Sequence, residues 1–146
     1  MSGPGAGSMI PASLDPVRLA ALEGAFAAIG RADVDALVEF YADDYVLELP
    51  YAHPEAKRIE GRAVVIEYLR AALAVFRFTL TITRIVPAAD PDLWVAEYTS
   101  EGHVVPSGAP YANSYVGFVR FRGDRVCALR EFYDPLRSAQ ALSAGT

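Results

Sequence analysis

The chain has little cysteine and no cluster of positive charge. Cys127 is the single cysteine, so an intrachain disulfide and a thiolate metal cluster are both excluded. The formal net charge is −5 and no basic run is present, which argues against a surface that follows the phosphates of a nucleic acid. We therefore expect a cytoplasmic protein in a reducing compartment, without a nucleic-acid partner.

Long apolar runs are also absent. No stretch reaches the roughly 18 uninterrupted apolar residues of a membrane span, and the N-terminus lacks the basic start and apolar segment of a signal peptide. The 146 residues are 53% apolar, which is enough for one well-supplied core. We predict a flexible leader over residues 1–13, one domain over 14–137, a C-terminal tail over 138–146 and no membrane partner.

Apolar residues in the first half of the chain recur at helical spacing. Asp15 and Pro16 favour a helix start, because aspartate caps free N–H groups and proline suits the first helical position; Gly30 favours its end. After Phe78 the apolar residues alternate with threonines, which is the period of a strand. The predicted elements are helices over 15–30, 33–42 and 62–75, a short strand over 45–51, and an antiparallel meander of strands from 78, 93, 111 and 126.

Four stretches, in this order, resemble ketosteroid isomerases and SnoaL-like polyketide cyclases of the NTF2-like superfamily. Together they fall within residues 17–137, and they read GRADVDALVEFYADDYVLELP, IEGRAVVIEYL, SGAPYANSYVGFVRFRGDRV and REFYDP. The resemblance implies an α+β cone, in which three N-terminal helices pack on a curved, mostly antiparallel sheet that encloses a pocket.

The chain departs from the ketosteroid isomerases at their catalytic positions. Their aspartate base falls on Leu49, their oxyanion-hole aspartate on Gly117 and their oxyanion-hole tyrosine on Ala25. None of these residues supplies the missing carboxyl or hydroxyl group. The resemblance therefore implies the fold without steroid double-bond isomerisation by that mechanism.

Two other branches of the superfamily match this chain at Glu131. In enzymes similar to limonene-epoxide hydrolase, Glu131 would be the last member of a carboxylate, arginine and carboxylate set, with Tyr51 and His53 near the residues that hold the attacking water. The strand that should carry the arginine, EYTSEGH, contains none. In phenazine-pathway enzymes a REY-type ending carries a working glutamate, and Glu131 in REFYDP occupies that position.

Strand alternation predicts the pocket wall once Gly117 is placed there by its match to a pocket aspartate. The wall is then largely aromatic and aliphatic, and Cys127 is expected on the same face of the last strand as Glu131. The predicted catalytic residues are Glu131, His53 and Tyr51. The predicted substrate-binding residues are Leu49, Trp94, Tyr98, Asn113, Tyr115, Gly117, Leu129 and Tyr133.

Several of these side chains have a purely structural interpretation as well. A buried carboxylate must be paired, protonated or functional, so Glu131 is either a general acid or base or a salt-bridge partner of Arg120, Arg125 or Arg130. His53, beside a proline, could equally be a solvent-exposed loop residue. Asn113 and Tyr115 could merely satisfy each other in the core. With His103, His53 makes at most half a metal site, so we expect neither metal nor cofactor.

These observations favour a cofactor-free cyclase or isomerase of secondary metabolism, such as antibiotic biosynthesis. Its substrate would be an apolar, polyketide-like intermediate that the pocket folds into a reactive shape, with Glu131 moving a proton. Two alternatives stay open, a non-catalytic small-molecule-binding or assembly module and an epoxide-opening enzyme with an altered triad. A homodimer is expected through the outer sheet face, at Thr79, Thr81, Thr83, Val116, Phe118 and Val126.

Overall fold

The computed structural model describes residues 9–144 as helices packed on one curved, six-stranded sheet. The helices are α1 (Pro16–Gly30), a short 3-10 helix (Val34–Glu39), α2 (Arg62–Val75) and α3 (Pro135–Ala144). The strands are β1 (Tyr41–Leu49), β2 (Lys57–Glu60), β3 (Phe76–Pro87), β4 (Leu93–Val104), β5 (Pro110–Arg122) and β6 (Arg125–Tyr133). Their order in the sheet is β2-β1-β6-β5-β4-β3, in which β1 and β6 are parallel and the other neighbours antiparallel. The predicted α+β class is confirmed.

The first helix starts where the sequence predicts. The Asp15 carboxylate accepts hydrogen bonds from the backbone N–H groups of Val17, at 2.9 Å, and Arg18, at 3.3 Å, and so caps α1. One face of α1 is buried against the sheet, including Leu22, Ala25, Phe26 and Ile29. This packing places the C-terminal half of α1 over the concave face of the sheet.

The second predicted helix is wrong in length and type. Only a six-residue 3-10 helix forms, and β1 begins at Tyr41, so Asp43 and Asp44 lie within a strand rather than in a turn. An irregularity in the pairing of β1 with β6 accommodates them, and both side chains point to solvent. Arg62 lies 3.0 Å from Asp43, and Arg122 forms an ion pair with Asp44. Pairing with β6 therefore outweighs the helical period of the sequence.

Residues 138–144 of the predicted C-terminal tail lie in the helix α3. The Asp134 carboxylate accepts a hydrogen bond from the Leu136 N–H group at 2.9 Å, and Ala141 is buried in a small cluster with Val104 and Tyr111. At the other end, Met9 pairs with β3 through hydrogen bonds to Thr83 and Ile85. The predicted leader thus contributes a backbone contact at residue 9, and its residues 1–8 lie outside the described part of the chain.

A bulge in β6 changes which side chains face the core. Arg120 pairs with Ala128 but Phe121 pairs with Val126, so Cys127 is the extra residue between them. Val126 is consequently buried, at 1% exposure, and cannot contribute to an outer face as predicted. Cys127 is only partly buried, and strict alternation from Glu131 does not extend to it.

Candidate functional site

A small apolar cavity lies between the concave face of the sheet and the helices α1 and α2. Its volume is about 70 Å³. Of the described residues that line it, Glu131 alone carries a charge. The lining residues are Phe26, Ile29, Tyr41, Tyr45, Leu47, Leu69, Phe78, Leu80, Tyr115, Leu129 and Glu131.

Glu131 is held on the cavity wall by a neighbouring tyrosine. The Tyr98 hydroxyl donates a hydrogen bond to Glu131 Oε1 at 2.5 Å, across the intervening strand β5. Tyr98 is itself 1% exposed and packs between Phe26, at 4.7 Å between ring centroids, and Tyr115, at 5.1 Å. This packing fixes the hydroxyl, and through it the orientation of the carboxylate.

The contact between Tyr98 and Glu131 depends on a glycine in the strand between them. Gly117 pairs with Ala96 on one side and with Glu131 on the other. A Cβ atom at residue 117 would lie 2.8 Å from the Tyr98 hydroxyl and 2.9 Å from Leu129 Cδ1. The position that the sequence matched to an oxyanion-hole aspartate is therefore kept empty, and the Tyr98 hydroxyl takes the space.

Glu131 has no cationic partner among the described residues. Burial raises its pKa from 4.5 to about 7, and the hydrogen bond from Tyr98 lowers it only in part. The predicted salt-bridge alternative is not formed, because all three arginines have other partners. Arg120 binds Asp90 at 2.9 Å, Arg125 donates to the backbone carbonyls of Val38 and Tyr41, and Arg130 lies over the ring of Phe132.

Two tyrosines of β1 also face the cavity. The rings of Tyr41 and Tyr45 stack with centroids 3.9 Å apart and an interplanar angle of 4°. Burial raises the pKa of both hydroxyl groups, and the nearby Glu131 carboxylate raises each further. Both therefore remain neutral hydrogen-bond donors. The sequence prediction missed Tyr41 by placing it in a helix, whereas the alternation of Tyr45 with Leu47 could have identified Tyr45.

The hydroxyl of Tyr115 is held by a buried polar network. It donates to Ser100 Oγ at 2.9 Å and lies 3.1 Å from the Tyr111 hydroxyl, to which Asn113 Nδ2 donates at 3.0 Å. Asn113 also donates to the Asp134 carbonyl at 2.9 Å, before α3. Asn113 and Tyr115 are thus linked through the Tyr111 hydroxyl. Asn113 does not line the cavity itself but helps to hold Tyr115, which does.

The structure brings some of the predicted site residues together and separates others. Glu131, Tyr115 and Leu129 line the cavity, with Tyr98 and Gly117 directly behind Glu131. The other predicted substrate-binding residues are in the core or beside the network. Leu49 is buried, Trp94 packs on Phe121 at 4.5 Å, Asn113 binds Tyr111, and Tyr133 is partly exposed near Tyr115.

Tyr51 and His53 do not face the cavity, contrary to the prediction. Because β1 ends at Leu49, where the chain turns with a hydrogen bond from Ala52 N–H to the Leu49 carbonyl, strand alternation does not continue. Tyr51 is 58% exposed and packs edge-on against Phe132, with ring centroids 5.1 Å apart. His53 is exposed. Neither residue therefore lines the cavity beside Glu131.

Residues 9–144 contain neither a cluster of potential metal ligands nor a helix suited to a membrane. In that range, no three His, Cys, Asp or Glu side chains are grouped closely enough to hold a metal ion. None of the helices in the same range has the length and apolarity needed to cross a membrane.

Comparison with known proteins identifies the family. The SnoaL-like domain model matches residues 22–129. The uncharacterized protein YesE of Bacillus subtilis (strain 168) is 32% identical over 107 residues, which is 71% of this chain and 72% of YesE. The crystal structure of a candidate isomerase from Bacillus subtilis is 28% identical, with a TM-score of 0.80, over 89% of this chain and 94% of that one.

More distant structures share the fold. A candidate SnoaL-like polyketide cyclase from Jannaschia sp. CCS1 is 16% identical, with a TM-score of 0.75, over 93% of this chain and 98% of that one. The family match covers most of the described sheet, α1 from residue 22 onward and all of α2, including Tyr98 and Gly117, and it ends two residues before Glu131. The resemblance predicted from sequence is thus confirmed, and the chain belongs to the SnoaL-like domain family.

Proposed function

We propose that this protein is a cyclase or isomerase that needs no cofactor and uses Glu131 to carry a proton to or from an apolar substrate. The observation behind this proposal is a single carboxylate without a counter-ion on the wall of an otherwise apolar cavity. Groups with perturbed pKa values in a cleft are typical of catalytic acids and bases. The isomerase and polyketide cyclase descriptions of the structural relatives support the reaction class.

The pKa of Glu131 suits proton transfer near neutrality. With a pKa of about 7, both the protonated and the ionised forms are well populated at pH 7. One oxygen, Oε1, receives the hydrogen bond from Tyr98, and among the described residues no donor reaches Oε2. We assign Oε2 as the oxygen that exchanges a proton with the substrate.

The cavity also limits the size of the substrate. Its volume of about 70 Å³ is below the roughly 300 to 1,000 Å³ of most ligand pockets, so it admits only a small fragment as it stands. Leu69, Phe78 and Leu80 line it and are only partly buried. A polyketide-like substrate, as we propose, would bind with one ring in the cavity and would displace these three side chains.

The proposal is tested by measuring proton transfer at carbon without knowledge of the natural substrate. Small cyclic ketones and enones, beginning with cyclopentanone, are incubated with the protein in D₂O, and the replacement of α-hydrogen by deuterium is followed by NMR. The wild-type protein should accelerate exchange. Glu131→Gln should slow the protein-dependent rate by about 10² to 10⁴-fold, because the amide cannot exchange the proton.

Glu97→Gln is the matched control, since it makes the same chemical change on the exposed side of β4, which is separated from β6 by β5. It should leave the exchange rate unchanged within about twofold. The role given to Glu131 is wrong if the glutamine variant keeps more than about a tenth of the wild-type rate. A wild-type protein that binds the ketones without accelerating exchange would instead indicate a binding module.

A further inference from the structure

The described residues that line the cavity can contribute negative charge but no positive charge. Of the described residues that line it, none is a lysine, arginine or histidine, and Glu131 is the one ionisable group that can be charged near neutrality. The arginines nearest in sequence to Glu131 on β6 bind backbone carbonyls or lie on the Phe132 ring outside the cavity. The described lining of the cavity therefore supplies a negative charge and no counter-ion.

The walls of the cavity also favour positive charge. Five of the lining side chains are aromatic, and the faces of aromatic rings carry partial negative charge that attracts organic cations. Tyrosines are the majority of these rings, and they surround the same space that Glu131 faces. The five are Phe26, Tyr41, Tyr45, Phe78 and Tyr115.

We infer that the cavity selects a substrate with an apolar skeleton and one positively charged centre, such as a small alkylammonium group. The cation would supply the counter-ion that Glu131 lacks and would pack against the aromatic walls. An anionic centre would be repelled by Glu131, since none of the described lining residues is cationic. The net charge of −5 adds a general attraction for cations. This inference rests on the proposed function in taking the cavity as the substrate site.

The test compares two probes of the same size. Tetramethylammonium and tert-butanol each have five heavy atoms in a similar shape, but only the first is charged. Dissociation constants are measured at pH 8 by NMR titration of the wild-type protein, with the cavity residues as reporters. Tetramethylammonium should bind at least about ten times more tightly than tert-butanol, and Glu131→Gln should remove that preference while Glu97→Gln keeps it.

A second pair of variants tests the aromatic walls and leaves residue Glu131 unsubstituted. Tyr115→Phe and Tyr115→Leu both remove the hydroxyl, but only the leucine variant removes the ring. Tetramethylammonium should bind the phenylalanine variant about as tightly as wild type within twofold, and the leucine variant about 3 to 30 times more weakly.

Equal or tighter binding of tert-butanol, no binding of tetramethylammonium, or equal affinities of the two Tyr115 variants for the cation would each overturn the inference. These results are separable from those of the deuterium-exchange experiment. A protein that exchanges ketone hydrogens but prefers tert-butanol refutes only the cation selectivity. A protein that binds tetramethylammonium without catalysing exchange refutes only the proton-transfer role.

Discussion

Glu131 is partly buried, and its desolvation has a cost to the stability of the fold. Its pKa rises from 4.5 in a solvated chain to about 7 in the folded protein, because burial disfavours the ionised form. Below pH 4.5 the side chain is protonated in both the folded and the unfolded state, so its ionisation does not change the free energy of unfolding. As the pH rises from 4.5 through 7, the unfolded chain loses the proton first, and the folded state is destabilised by up to about 3 kcal/mol.

Glu131→Gln should therefore stabilise the protein in a pH-dependent way. The glutamine can still accept the hydrogen bond from Tyr98 but cannot ionise, so the melting temperature should exceed that of wild type at pH 8 and match it near pH 4.5. Thermal unfolding of both proteins across this range is the measurement, with Glu97→Gln as the control. A glutamine variant that is less stable than wild type at pH 8 would show that Glu131 is a structural ion-pair partner.

Residue-level predictions from sequence succeed where a strand is regular. Strand alternation from one anchor placed Tyr98, Asn113, Tyr115, Gly117 and Glu131 on the concave face, because β4 and β5 pair without interruption over that stretch. It failed where a strand ends or bulges, as at Tyr51, His53, Cys127 and Val126. At these residues the hydrogen-bond register between strands determines which face a side chain lies on, and that register cannot be read from a single sequence.

Among the elements, β5 sets the relation between Tyr98 and Glu131. Because a Cβ atom at Gly117 would lie 2.8 Å from the Tyr98 hydroxyl, Gly117→Ala should break the hydrogen bond to Glu131. We expect the free energy of unfolding to fall by about 1 to 3 kcal/mol and the deuterium-exchange rate to fall at least tenfold. Denaturant unfolding and the deuterium-exchange assay measure the two effects.

A double variant separates the hydroxyl clash from other effects of the added methyl group. Tyr98→Phe removes the oxygen that the alanine would meet, so Gly117→Ala should cost less stability in the Tyr98→Phe background than in wild type. Additive losses of stability in the two backgrounds would contradict this explanation. Two contacts of the added Cβ atom would remain, at 3.1 Å with the ring carbon Cε1 of residue 98 and at 2.9 Å with Leu129 Cδ1, which is the end of a flexible side chain and can move.

Element-level predictions from sequence were accurate where local signals are strong. The Asp15 cap and the Gly30 ending predicted the bounds of α1, and the spacing of apolar residues predicted α2. The turn residues between the long strands predicted where those strands are separated. The start of β1 was missed because residues 33–42 have a helical period that the pairing with β6 overrides. The start of α3 was missed although Asp134 and Pro135 repeat the pattern of Asp15 and Pro16.

On the scale of the whole molecule, the outer face of the sheet remains a proposed dimer interface. Among the described residues, an aromatic and aliphatic patch lies there, formed by the exposed Tyr51, Val116 and Phe118 and by the partly buried Phe132. This outer patch shares Val116 and Phe118 with the predicted set, from which the bulge removes Val126. Thr79, Thr81 and Thr83 of that set stay a prediction. Its members are 58%, 38% and 39% exposed at Tyr51, Val116 and Phe118.

Phe118→Glu should shift a dimer towards monomer, because the charge would be buried in the interface and left unpaired. Sedimentation velocity at micromolar concentration measures the change, and circular dichroism checks that the fold persists. Val17→Glu, on the exposed surface of α1, is the matched control and should remain dimeric. A wild-type protein that sediments as a monomer at these concentrations would refute the proposed interface.

The most direct test of the central claim is the ionisation of Glu131 itself. Selective ¹³C labelling of glutamate side chains, with Glu131→Gln to assign the signal, allows the carboxyl carbon to be titrated by NMR. A midpoint near pH 7 is the result that we predict for a partly buried carboxylate that has no counter-ion among the described residues. A midpoint near 4.5 would show that Glu131 is solvated or paired, and the proposed proton-transfer role would have to be abandoned.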